Sequence, residues 1–234
     1  MNSIVIFAAG RGSRLGASVP KFIVEVDARP IFLHQLRALS RVPGEIYIVC
    51  GYRAALLMQL MLADLAPDEP ARSRLTFIYN DRFTEPQCGS ISRVMAAIPQ
   101  NRPALFIDGD MLFSAETAEC LVKAQETTVA LRAEPTADAV MATLNESDQL
   151  QKFERGQDGT GEWANLAIYQ PRHLPLLGEV SSSGACRHHF EIINELVVRG
   201  VTVHTHFAEF AEVDDVEDLR LAGQFVRECQ HVQE

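Results

Sequence analysis

The sequence predicts an α/β protein built on a mostly parallel, doubly wound mixed sheet, with a small antiparallel insertion in the second half. Strand-like apolar runs alternate with helix-length segments through the first half of the chain. This alternation is typical of parallel strands that are joined by helices on both faces of a sheet. In the second half, shorter strand-like segments follow one another with polar turns between them, which favours antiparallel pairing.

The elements of the first half can be placed in order. Strands are predicted where short apolar runs occur, at residues 4–9, 45–50, 75–79 and 104–108. Helices are predicted between them, at residues 30–40, 53–65 and 89–97. This order is that of a Rossmann-like sheet, in which ligands bind beyond the carboxyl ends of the strands. The segments that follow the first and the last of these strands are therefore expected at that edge.

The second half is predicted to complete the same sheet. Four strands with short polar turns are expected at residues 127–131, 138–144, 149–153 and 163–169. They are followed by a loop at residues 181–184, a helix at 187–199, a strand at 201–206 and a C-terminal helix at 216–230. No linker, repeat or low-complexity tract divides the chain, so one domain is expected.

Composition and charge argue against several classes of protein. The chain has 234 residues, of which 47% are hydrophobic and 22% charged, as is ordinary for a globular protein. A formal net charge of −10 argues against a nucleic acid partner, since phosphate backbones require a basic surface. Neither an apolar run of membrane-spanning length nor a signal-peptide pattern is found, so cytoplasmic residence is expected. The five cysteines are scattered, odd in number and without a Cys-x-x-Cys pair, so reduced thiols are expected rather than disulfides, and no structural zinc site is expected.

The most informative segment is a glycine-rich basic loop that directly follows the first predicted strand. Residues 8–21 read AAGRGSRLGASVPK, and they combine three glycines with three cations. These residues are Gly10, Gly12, Gly16, Arg11, Arg14 and Lys21. Glycine lets the backbone approach a ligand and point its N–H groups at an anion, and the cations add positive charge at the same place. The loop is therefore suited to a nucleoside triphosphate; the alternative is a plain glycine turn with solvated arginines.

Two better-known glycine-rich motifs do not fit this loop. A Walker A motif needs a Gly-Lys pair, and the chain has none. The dinucleotide fingerprint needs Gly-x-Gly-x-x-Gly at the start of a helix. Here the third glycine comes one residue later, and Pro20 follows it. An NAD-dependent oxidoreductase is therefore disfavoured.

The pattern Ala-Ala-Gly-x-Gly-Ser-Arg-Leu at residues 8–15, followed by Pro20 and Lys21, resembles the signature of the nucleotidyltransferases that activate sugar phosphates and related phosphorylated molecules. The resemblance implies that the loop wraps a triphosphate. It also implies catalytic roles for Lys21, beside the α-phosphate, and for Arg11, facing the departing β- and γ-phosphates. The nucleotide-binding positions expected in the loop are Ala8, Ala9, Gly10, Gly12, Ser13 and Arg14.

Such a transfer commonly uses Mg²⁺, which one or two carboxylates hold together with phosphate oxygens. In the resembled family, a Gly-Asp after a strand shares the metal with an acidic or amide residue late in the chain. Asp110 and Asp214 match these two positions. Asp108 is expected to bind the nucleotide, with an outer-sphere role or a contact to Lys21 as alternatives. Asp215 is the better candidate for capping the C-terminal helix.

Two segments favour cytidine as the base. Residues 87–90, Gln-Cys-Gly-Ser, resemble the Asn-x-Gly-Ser segment of cytidylyltransferases of the phosphocholine and aminoethylphosphonate type, with Gln87 in place of the asparagine. The resemblance implies that Gln87, Gly89 and Ser90 help to bind the base and ribose; the alternative is an ordinary helix N-terminus. The acidic segment at residues 212–219 resembles the same subgroup.

The acceptor is less well specified, and two chemistries are left open. A quaternary ammonium group would need an aromatic cage with a carboxylate. Residues that could supply such a cage are Trp163, Tyr169, Phe190, Glu162 and Glu191. Conversely, Arg187, His188 and His189 suggest a more anionic acceptor such as a phosphonate. A second cation near the acceptor is sought in Lys152 or Arg155, with solvated surface charge as the alternative.

The sequence thus predicts a single nucleotidyltransferase domain over residues 1–234. Residues 1–125 are expected to form its nucleotide-binding half, and residues 126–234 its acceptor-binding half with the second metal ligand. The favoured reaction is Mg²⁺-dependent transfer of CMP from CTP to phosphocholine, aminoethylphosphonate or a related acceptor, with release of pyrophosphate. The alternatives are a sugar-1-phosphate nucleotidyltransferase that uses UTP, GTP or dTTP, and a nucleotide-binding regulatory module without turnover. Homodimer formation is left open.

Overall fold

The computed structural model describes residues 1–16, 19–136, 139–156 and 158–231, and its elements are numbered here in chain order. The strands are β1 (Asn2–Ala8), β2 (Glu25–Val26), β3 (Arg29–Pro30), β4 (Gly44–Cys50), β5 (Leu75–Tyr79), β6 (Ala104–Asp108), β7 (Met111–Phe113), β8 (Thr128–Arg132), β9 (Val140–Leu144), β10 (Leu150–Arg155), β11 (Gly161–Tyr169), β12 (His204–Phe207) and β13 (Phe210–Glu212). The helices are α1 (Ile31–Ala38), α2 (Ala54–Asp64), α3 (Gln87–Met95), α4 (Ala115–Lys123), α5 (Leu174–Ser182), α6 (His189–Val198) and α7 (Val216–His231).

Within the described ranges, nine strands form one mixed sheet around a parallel centre. Four neighbouring strands, in the order β6-β1-β4-β5, run parallel, and β11 continues the sheet antiparallel to β6. Beyond β11, the sheet is extended by β9 and β10 and, on a separate branch, by β8 and β12. Two small antiparallel pairs, β2–β3 and β7–β13, lie outside it. The predicted α/β sheet with an antiparallel part in its second half is confirmed.

Helices cover both faces of the sheet because the central strands are apolar on both faces. In β1, Ile4 and Ile6 belong to one buried cluster, and Val5 belongs to the other. Helices α1, α2, α4 and α7 contribute to the first cluster, and α3, α5 and α6 contribute to the second. Such two-sided burial is what parallel strands require. In the part of the chain that the structure describes, no helix combines the length and apolar character needed to cross a membrane.

Two helices, α4 and α5, were not predicted. Helix α4 begins after Ser114, whose hydroxyl accepts a hydrogen bond from the Thr117 N–H at 3.1 Å. Helix α5 has a proline in its first turn and includes residues 181 and 182, which were predicted as loop. Its serines and glycine are weak helix formers, and packing of its apolar side against α3 and α6 outweighs their propensity.

Other differences concern the ends of elements. Of the strand predicted at residues 138–144, Asp138 lies outside the described residues, and residues 140–144 form β9. Helix α3 begins at Gln87, directly after a proline, two residues earlier than predicted. Strand β12 begins at His204, three residues later than predicted, because Val201 lies just after α6 and its N–H donates to the Leu196 carbonyl at 3.0 Å.

Candidate active site

The glycine-rich loop and the turn at residues 108–110 leave the sheet side by side. Parallel pairing of β1 with β6 places Phe7 opposite Asp108. The Gly109 N–H donates to the Phe7 carbonyl at 3.0 Å, and a Cβ at position 109 would lie only 2.7 Å from that oxygen. Glycine at this position therefore allows the turn to pack tightly against the end of β1.

A third loop reaches the same edge through the small β7–β13 pair. Glu212 lies opposite Met111 in this antiparallel pair, and the Val213 N–H donates to the Asp110 carbonyl at 3.0 Å. These bonds place the end of β13 beside the 108–110 turn. Asp110 and Asp214, the two predicted metal ligands, are therefore neighbours in space although they are far apart in the chain.

Lys21 lies between these two aspartates. Its Nζ is 2.7 Å from Asp110 Oδ2 and 2.5 Å from Asp214 Oδ1. Arg14 joins the group, with its Nη2 at 2.6 Å from Asp214 Oδ2. Burial by itself lowers the pKa of Lys21, but the two carboxylates outweigh burial and raise that pKa above its usual value. The lysine is therefore firmly charged in this position.

A third carboxylate, from Glu212, completes an acidic cluster. Carboxylate oxygens of Asp110, Glu212 and Asp214 lie within 4.8 Å of one another. Burial, followed by the charges of the two aspartates, raises the pKa of Glu212 to about 8. Asp110 Oδ1 is buried and finds no hydrogen-bond partner among the described residues. A group of hard oxygen ligands with a buried, unpartnered oxygen fits a divalent cation such as Mg²⁺.

Glu212 was not among the predicted metal ligands, although the sequence carries a signal for it. Residues 212 and 214 are two positions apart in an extended segment, and side chains at that spacing point to the same side of the chain. If Asp214 faces the site, Glu212 is therefore expected to face it as well. The two-residue periodicity of an extended chain thus predicts Glu212 as a further metal ligand beside Asp214.

The glycine-rich loop adopts a left-handed backbone at two of its glycines. Gly12 has a φ of +64° and Gly16 a φ of +61°, and the two flank a short 3₁₀ turn at Ser13–Leu15. A Cβ at position 12 would lie 2.8 Å from Lys21 Cβ, so glycine at this position lets the lysine pack directly against the loop. A Cβ at Gly10 would meet no atom of the described residues within 4 Å, so these residues leave that part of the loop accessible to a ligand.

The remaining loop residues differ in their exposure. Ala8 and Ala9 are buried where the loop leaves β1, whereas Ser13 and both arginines are exposed. The Arg11 guanidinium lies 5.5 Å from the centroid of the Tyr52 ring. Of the two arginines, it is thus Arg14 that contacts the acidic cluster, while Arg11 lies against an aromatic ring.

Gln87 joins the 108–110 turn to the start of helix α6. Its Nε2 donates to both carboxylate oxygens of Asp108, at 2.9 and 2.8 Å. Its Oε1 accepts from the His189 N–H at 3.3 Å. Burial, followed by the charge of Asp110, raises the pKa of Asp108 well above its usual range. The side-chain amide of Gln87, which was predicted to bind the nucleotide, therefore forms its hydrogen bonds within the protein.

Gly89 and Ser90 lie in the first turn of α3. Ser90 is buried, and its Oγ accepts a hydrogen bond from Asn80 Nδ2 at 2.8 Å. The structure therefore gives this hydroxyl an internal partner instead of leaving it exposed for the base or ribose. A Cβ at Gly89 would meet no atom closer than Glu85 Oε2 at 3.8 Å, so the backbone at this position is open.

A cleft of about 1310 Å³ adjoins the acidic cluster. Its lining includes Arg14, Gln87, Glu212 and Asp214. It also includes four of the predicted acceptor residues, which are Arg155, Glu162, Trp163 and His189. The fold therefore brings residues of both predicted halves of the site around one cleft.

Three of the residues that could supply an aromatic cage, Trp163, Tyr169 and Glu162, have partners within the protein. Trp163 and Tyr169 are buried in the second apolar cluster, and the Trp163 ring packs against Phe153 with a centroid distance of 5.2 Å. Glu162, the carboxylate of that cage, accepts from Arg132 Nη2 at 2.6 Å, and both side chains are largely buried. Among these three described residues, the cleft therefore offers neither a free aromatic ring nor an unpaired carboxylate.

Glu191, one of the predicted acceptor residues, has partners within the protein. Its Oε2 accepts from the backbone N–H groups of Arg187, at 2.6 Å, and His188, at 3.0 Å. The His188 side chain completes a capping box at the start of α6. Glu191 therefore caps the start of α6, and its Oε2 is already occupied by two backbone donors.

The remaining basic residues of the acceptor half lie in different environments. His189 is buried, forms a 2.7 Å hydrogen bond through Nε2 with the Tyr169 hydroxyl, and has its pKa lowered to about 3 by burial, so it is neutral. The Arg155 guanidinium lies 5.6 Å from the centroid of the Phe190 ring and lines the cleft. Lys152 instead forms an exposed ion pair on β10. Of the two candidates for a second cation, Arg155 is the one in the cleft.

The capping role predicted for Asp215 is confirmed. Its Oδ1 accepts from the backbone N–H groups of Glu217 at 2.8 Å and Asp218 at 3.1 Å, at the start of α7. Asp218 returns the contact, since its Oδ2 accepts from the Asp215 N–H at 3.0 Å and also from the Asp214 N–H at 2.8 Å. These bonds fix the backbone at residue 214 and leave the Asp214 carboxylate to the acidic cluster.

Loop cations that face an acidic cluster at the carboxyl edge of a parallel sheet, beside a large cleft, are typical of α/β proteins that bind a phosphorylated nucleotide. Residues 4–196 match the family model of the MobA-like NTP transferase domain. The chain belongs to this family of NTP transferase domains.

Curated relatives share part of this chain. The bifunctional protein GlmU of Cupriavidus pinatubonensis is 34% identical over 129 residues, which are 52% of this chain and 25% of that protein. GlmU of Lawsonia intracellularis is 30% identical over 150 residues, which are 61% of this chain and 28% of that protein. The chain therefore spans about a quarter of the length of these relatives.

Solved structures resemble the protein over nearly its whole length. The CTP:phosphocholine cytidylyltransferase LicC of Streptococcus pneumoniae has a TM-score of 0.76 and 16% identity, covering 96% of this chain and 99% of that one. The inositol-1-phosphate CTP transferase of T. maritima has a TM-score of 0.80 and 14% identity, covering 97% and 96%. At these identities, the likeness concerns the fold.

Proposed function

We propose that the protein is an Mg²⁺-dependent cytidylyltransferase that transfers CMP from CTP to a small phosphorylated or phosphonate acceptor and releases pyrophosphate. The observation that carries this proposal is that cations of the glycine-rich loop lie directly against the acidic cluster. Lys21 and Arg14 can bind phosphate oxygens, while Asp110, Glu212 and Asp214 can hold the metal. Two of the similar structures are named for CTP-dependent transfer to phosphorylated acceptors, which favours cytidine.

The proposed chemistry needs charge stabilisation and positioning rather than a general base. An oxygen of the acceptor phosphate or phosphonate attacks the α-phosphorus of CTP, a new O–P bond forms, and the bond to the pyrophosphate oxygen breaks. Because the attacking oxygen is already ionised near neutral pH, no side chain has to remove a proton. The charged ammonium of Lys21 stabilises the negative charge at the α-phosphate in the transition state. Bound Mg²⁺ would neutralise charge on the phosphate oxygens.

The cleft chemistry favours acceptors that present oxygen atoms over those that present a quaternary ammonium group. Arg132 pairs with Glu162, so this carboxylate is not free for a cationic headgroup. Arg132 Nε and Trp163 Nε1 are buried N–H donors without a hydrogen-bond partner among the described residues, and both residues line the cleft. Buried donors of this kind require acceptor atoms. We therefore rank phosphonates and polyol phosphates ahead of phosphocholine as acceptors.

The second candidate is a sugar-1-phosphate nucleotidyltransferase that uses UTP, GTP or dTTP. The unpartnered donors in the cleft favour it as well, because a hexose presents several hydroxyl oxygens. The part of the chain that is 34% identical to GlmU of C. pinatubonensis spans 129 residues, and this sequence similarity is closer than that to either solved structure named above.

A two-way substrate panel separates these candidates. The purified protein is incubated with each of the four nucleoside triphosphates and dTTP, in the presence of Mg²⁺ and one acceptor at a time, and pyrophosphate release is measured. The acceptors are phosphocholine, aminoethylphosphonate, a simple alkylphosphonate, inositol 1-phosphate and glucose 1-phosphate. The proposal expects CTP to be preferred. Preference for UTP, GTP or dTTP would establish the second candidate, and calorimetric nucleotide binding without turnover would indicate a regulatory module.

A further inference from the structure

We propose that Lys21 is an internal counter-ion that closes the acidic cluster to a divalent cation until a nucleoside triphosphate binds. Lys21 would thereby couple metal binding to nucleotide binding, in addition to its contact with the α-phosphate. The inference rests on the proposed function, because it requires that the cluster receives a metal ion and that the loop receives a triphosphate.

The acidic cluster already holds a cation supplied by the protein. Lys21 Nζ is within 2.7 Å of an oxygen of Asp110 and within 2.5 Å of an oxygen of Asp214. The side chain of Lys21 is only 12% exposed, so water competes weakly with these ion pairs. A divalent ion that binds both aspartates must therefore compete with an ammonium group that is already in contact with them.

The second loop cation is held less firmly. Arg14 contacts the other oxygen of Asp214 at 2.6 Å, but its side chain is 68% exposed and its ion pair is correspondingly screened. Lys21 also differs from Arg14 in its packing against the loop. Its Cβ lies so close to Gly12 that a side chain at position 12 would clash with it. Its position is tied to the backbone of the glycine-rich loop, so a ligand that binds the loop acts on the lysine directly.

A triphosphate can exchange the partners of both loop cations. Its several charged oxygens are strong acceptors for lysine and arginine, and they draw Lys21 and Arg14 away from the carboxylates. The carboxylates then lose their counter-ions and bind a divalent ion more strongly. Since linkage is reciprocal, the metal likewise favours binding of the triphosphate. The exchange makes each ligand a weak binder alone and a strong binder in the presence of the other.

Mn²⁺ binding without nucleotide tests the competition. Free Mn²⁺ is measured by its paramagnetic resonance signal in titrations of the full chain and of Lys21→Met, Arg14→Met and Lys123→Met. Lys123 is the matched control, because it pairs with a carboxylate, Glu119, on the exposed side of α4. We expect Lys21→Met to bind Mn²⁺ about tenfold more tightly than the unaltered protein, since the competing ammonium is gone. The Mn²⁺ affinity of Arg14→Met should increase by less than tenfold, and that of Lys123→Met should not change.

Lysine resonances of the unaltered protein provide a second measurement, which does not depend on how a variant folds. The chain has three lysines, at positions 21, 123 and 152, so selective ¹³C labelling at lysine Cε gives a simple spectrum. Addition of CTP should shift the Lys21 resonance, and further addition of Mg²⁺ should keep it shifted. The resonances of Lys123 and Lys152 should stay in place.

The outcomes also separate this inference from the proposed function. Unchanged Mn²⁺ affinity in Lys21→Met, or a Lys21 resonance that CTP leaves in place while the protein turns CTP over, overturns the counter-ion role and leaves the cytidylyltransferase standing. Failure of the unaltered protein to bind any nucleoside triphosphate or to release pyrophosphate overturns both. If Lys21→Met is unfolded by circular dichroism, Lys21→Gln and the resonance experiment decide.

Discussion

At the scale of single residues, the site depends on a few side chains whose charges are balanced only as a group. Asp110, Glu212 and Asp214 lie close enough to repel one another strongly, and burial increases that repulsion. Lys21 and Arg14 offset it in this structure. Substitution of one member should therefore change the binding of metal or nucleotide rather than simply remove one contact.

Lys21→Ala is expected to lower kcat by at least about 100-fold, which is typical of the loss of a preorganised group that stabilises transition-state charge. The KM for CTP should change by much less, because the rest of the loop still binds the triphosphate. Steady-state kinetics with saturating Mg²⁺ give both constants, and Lys123→Ala serves as the control. A large rise in KM with an unchanged kcat would show that Lys21 contributes to binding alone.

Asp110→Asn is expected to raise the Mg²⁺ concentration needed for half-maximal activity, because it removes the charge of a ligand whose Oδ1 is buried and unpartnered among the described residues. Activity is titrated with Mg²⁺ at fixed CTP and acceptor. Asp64→Asn, an exposed position at the end of α2, is the control and should follow the unaltered protein. Superimposable titrations for Asp110→Asn and the unaltered protein would contradict its assignment as a metal ligand.

At the scale of elements, the N-termini of α3 and α6 meet behind the 108–110 turn and hold it. Gln87, the first residue of α3, bonds to Asp108 and to the first backbone N–H of α6, at His189. The capping box of Glu191 and His188 fixes the start of α6. Polar side chains near the cleft can thus hold the backbone of the site in place, although the sequence alone suggests that they bind the substrate.

Glu191→Ala is expected to destabilise the protein by about 1 kcal/mol, because it removes the acceptor of two backbone N–H groups at a helix start. The KM for the acceptor substrate should not change. Denaturant unfolding and acceptor kinetics measure the two effects, with Glu195→Ala as a control on the same helix, where the side chain forms an exposed ion pair. A raised acceptor KM with unchanged stability would restore Glu191 to the substrate site.

The sequence predicts the parallel strands well because strands that are buried on both faces are continuous apolar runs. The run at residues 45–50 differs from β4 by a single residue at its start. The spatial proximity of Asp110 and Asp214 follows from the family resemblance rather than from either local segment. The Arg132–Glu162 pair could not be predicted, since it depends on the register of β8 with β11, and β11 carries an irregularity between Trp163 and Ala167.

At the scale of the whole molecule, the parallel and antiparallel parts of the sheet share one buried aromatic group around His189. Its ring lies 6.4 Å from Phe7 and 5.9 Å from Phe106, which belong to β1 and β6. It also lies 5.5 Å from Trp163 and 5.9 Å from Tyr169, both on β11. His189 therefore occupies the second apolar cluster where strands of both parts meet, and its protonation would place a charge in that cluster.

This environment predicts an acid-sensitive fold. Burial lowers the pKa of His189 from 6.5 to about 3, so the unfolded chain binds the proton more readily than the folded one. The stabilisation that comes from keeping the ring neutral is complete above the unfolded pKa of 6.5 and is lost as the pH falls toward 3. Between those values, this group should lower the free energy of unfolding by up to about 1.4 kcal/mol for each unit by which the pH falls.

His189→Phe should reduce this pH dependence, because the variant cannot take up the proton in either state. Urea unfolding of both proteins at several values between about pH 7 and about pH 5 gives the two slopes, and their difference isolates His189 from His34 and His173, whose pKa values burial also lowers. The variant loses the hydrogen bond to the Tyr169 hydroxyl, so its stability is expected to be lower at pH 7. The pH dependence of stability, and not the stability at pH 7, therefore tests whether the folded protein keeps His189 neutral. Parallel slopes for the two proteins would mean that His189 is protonated in the folded state, and the cluster would then have to accommodate a buried charge.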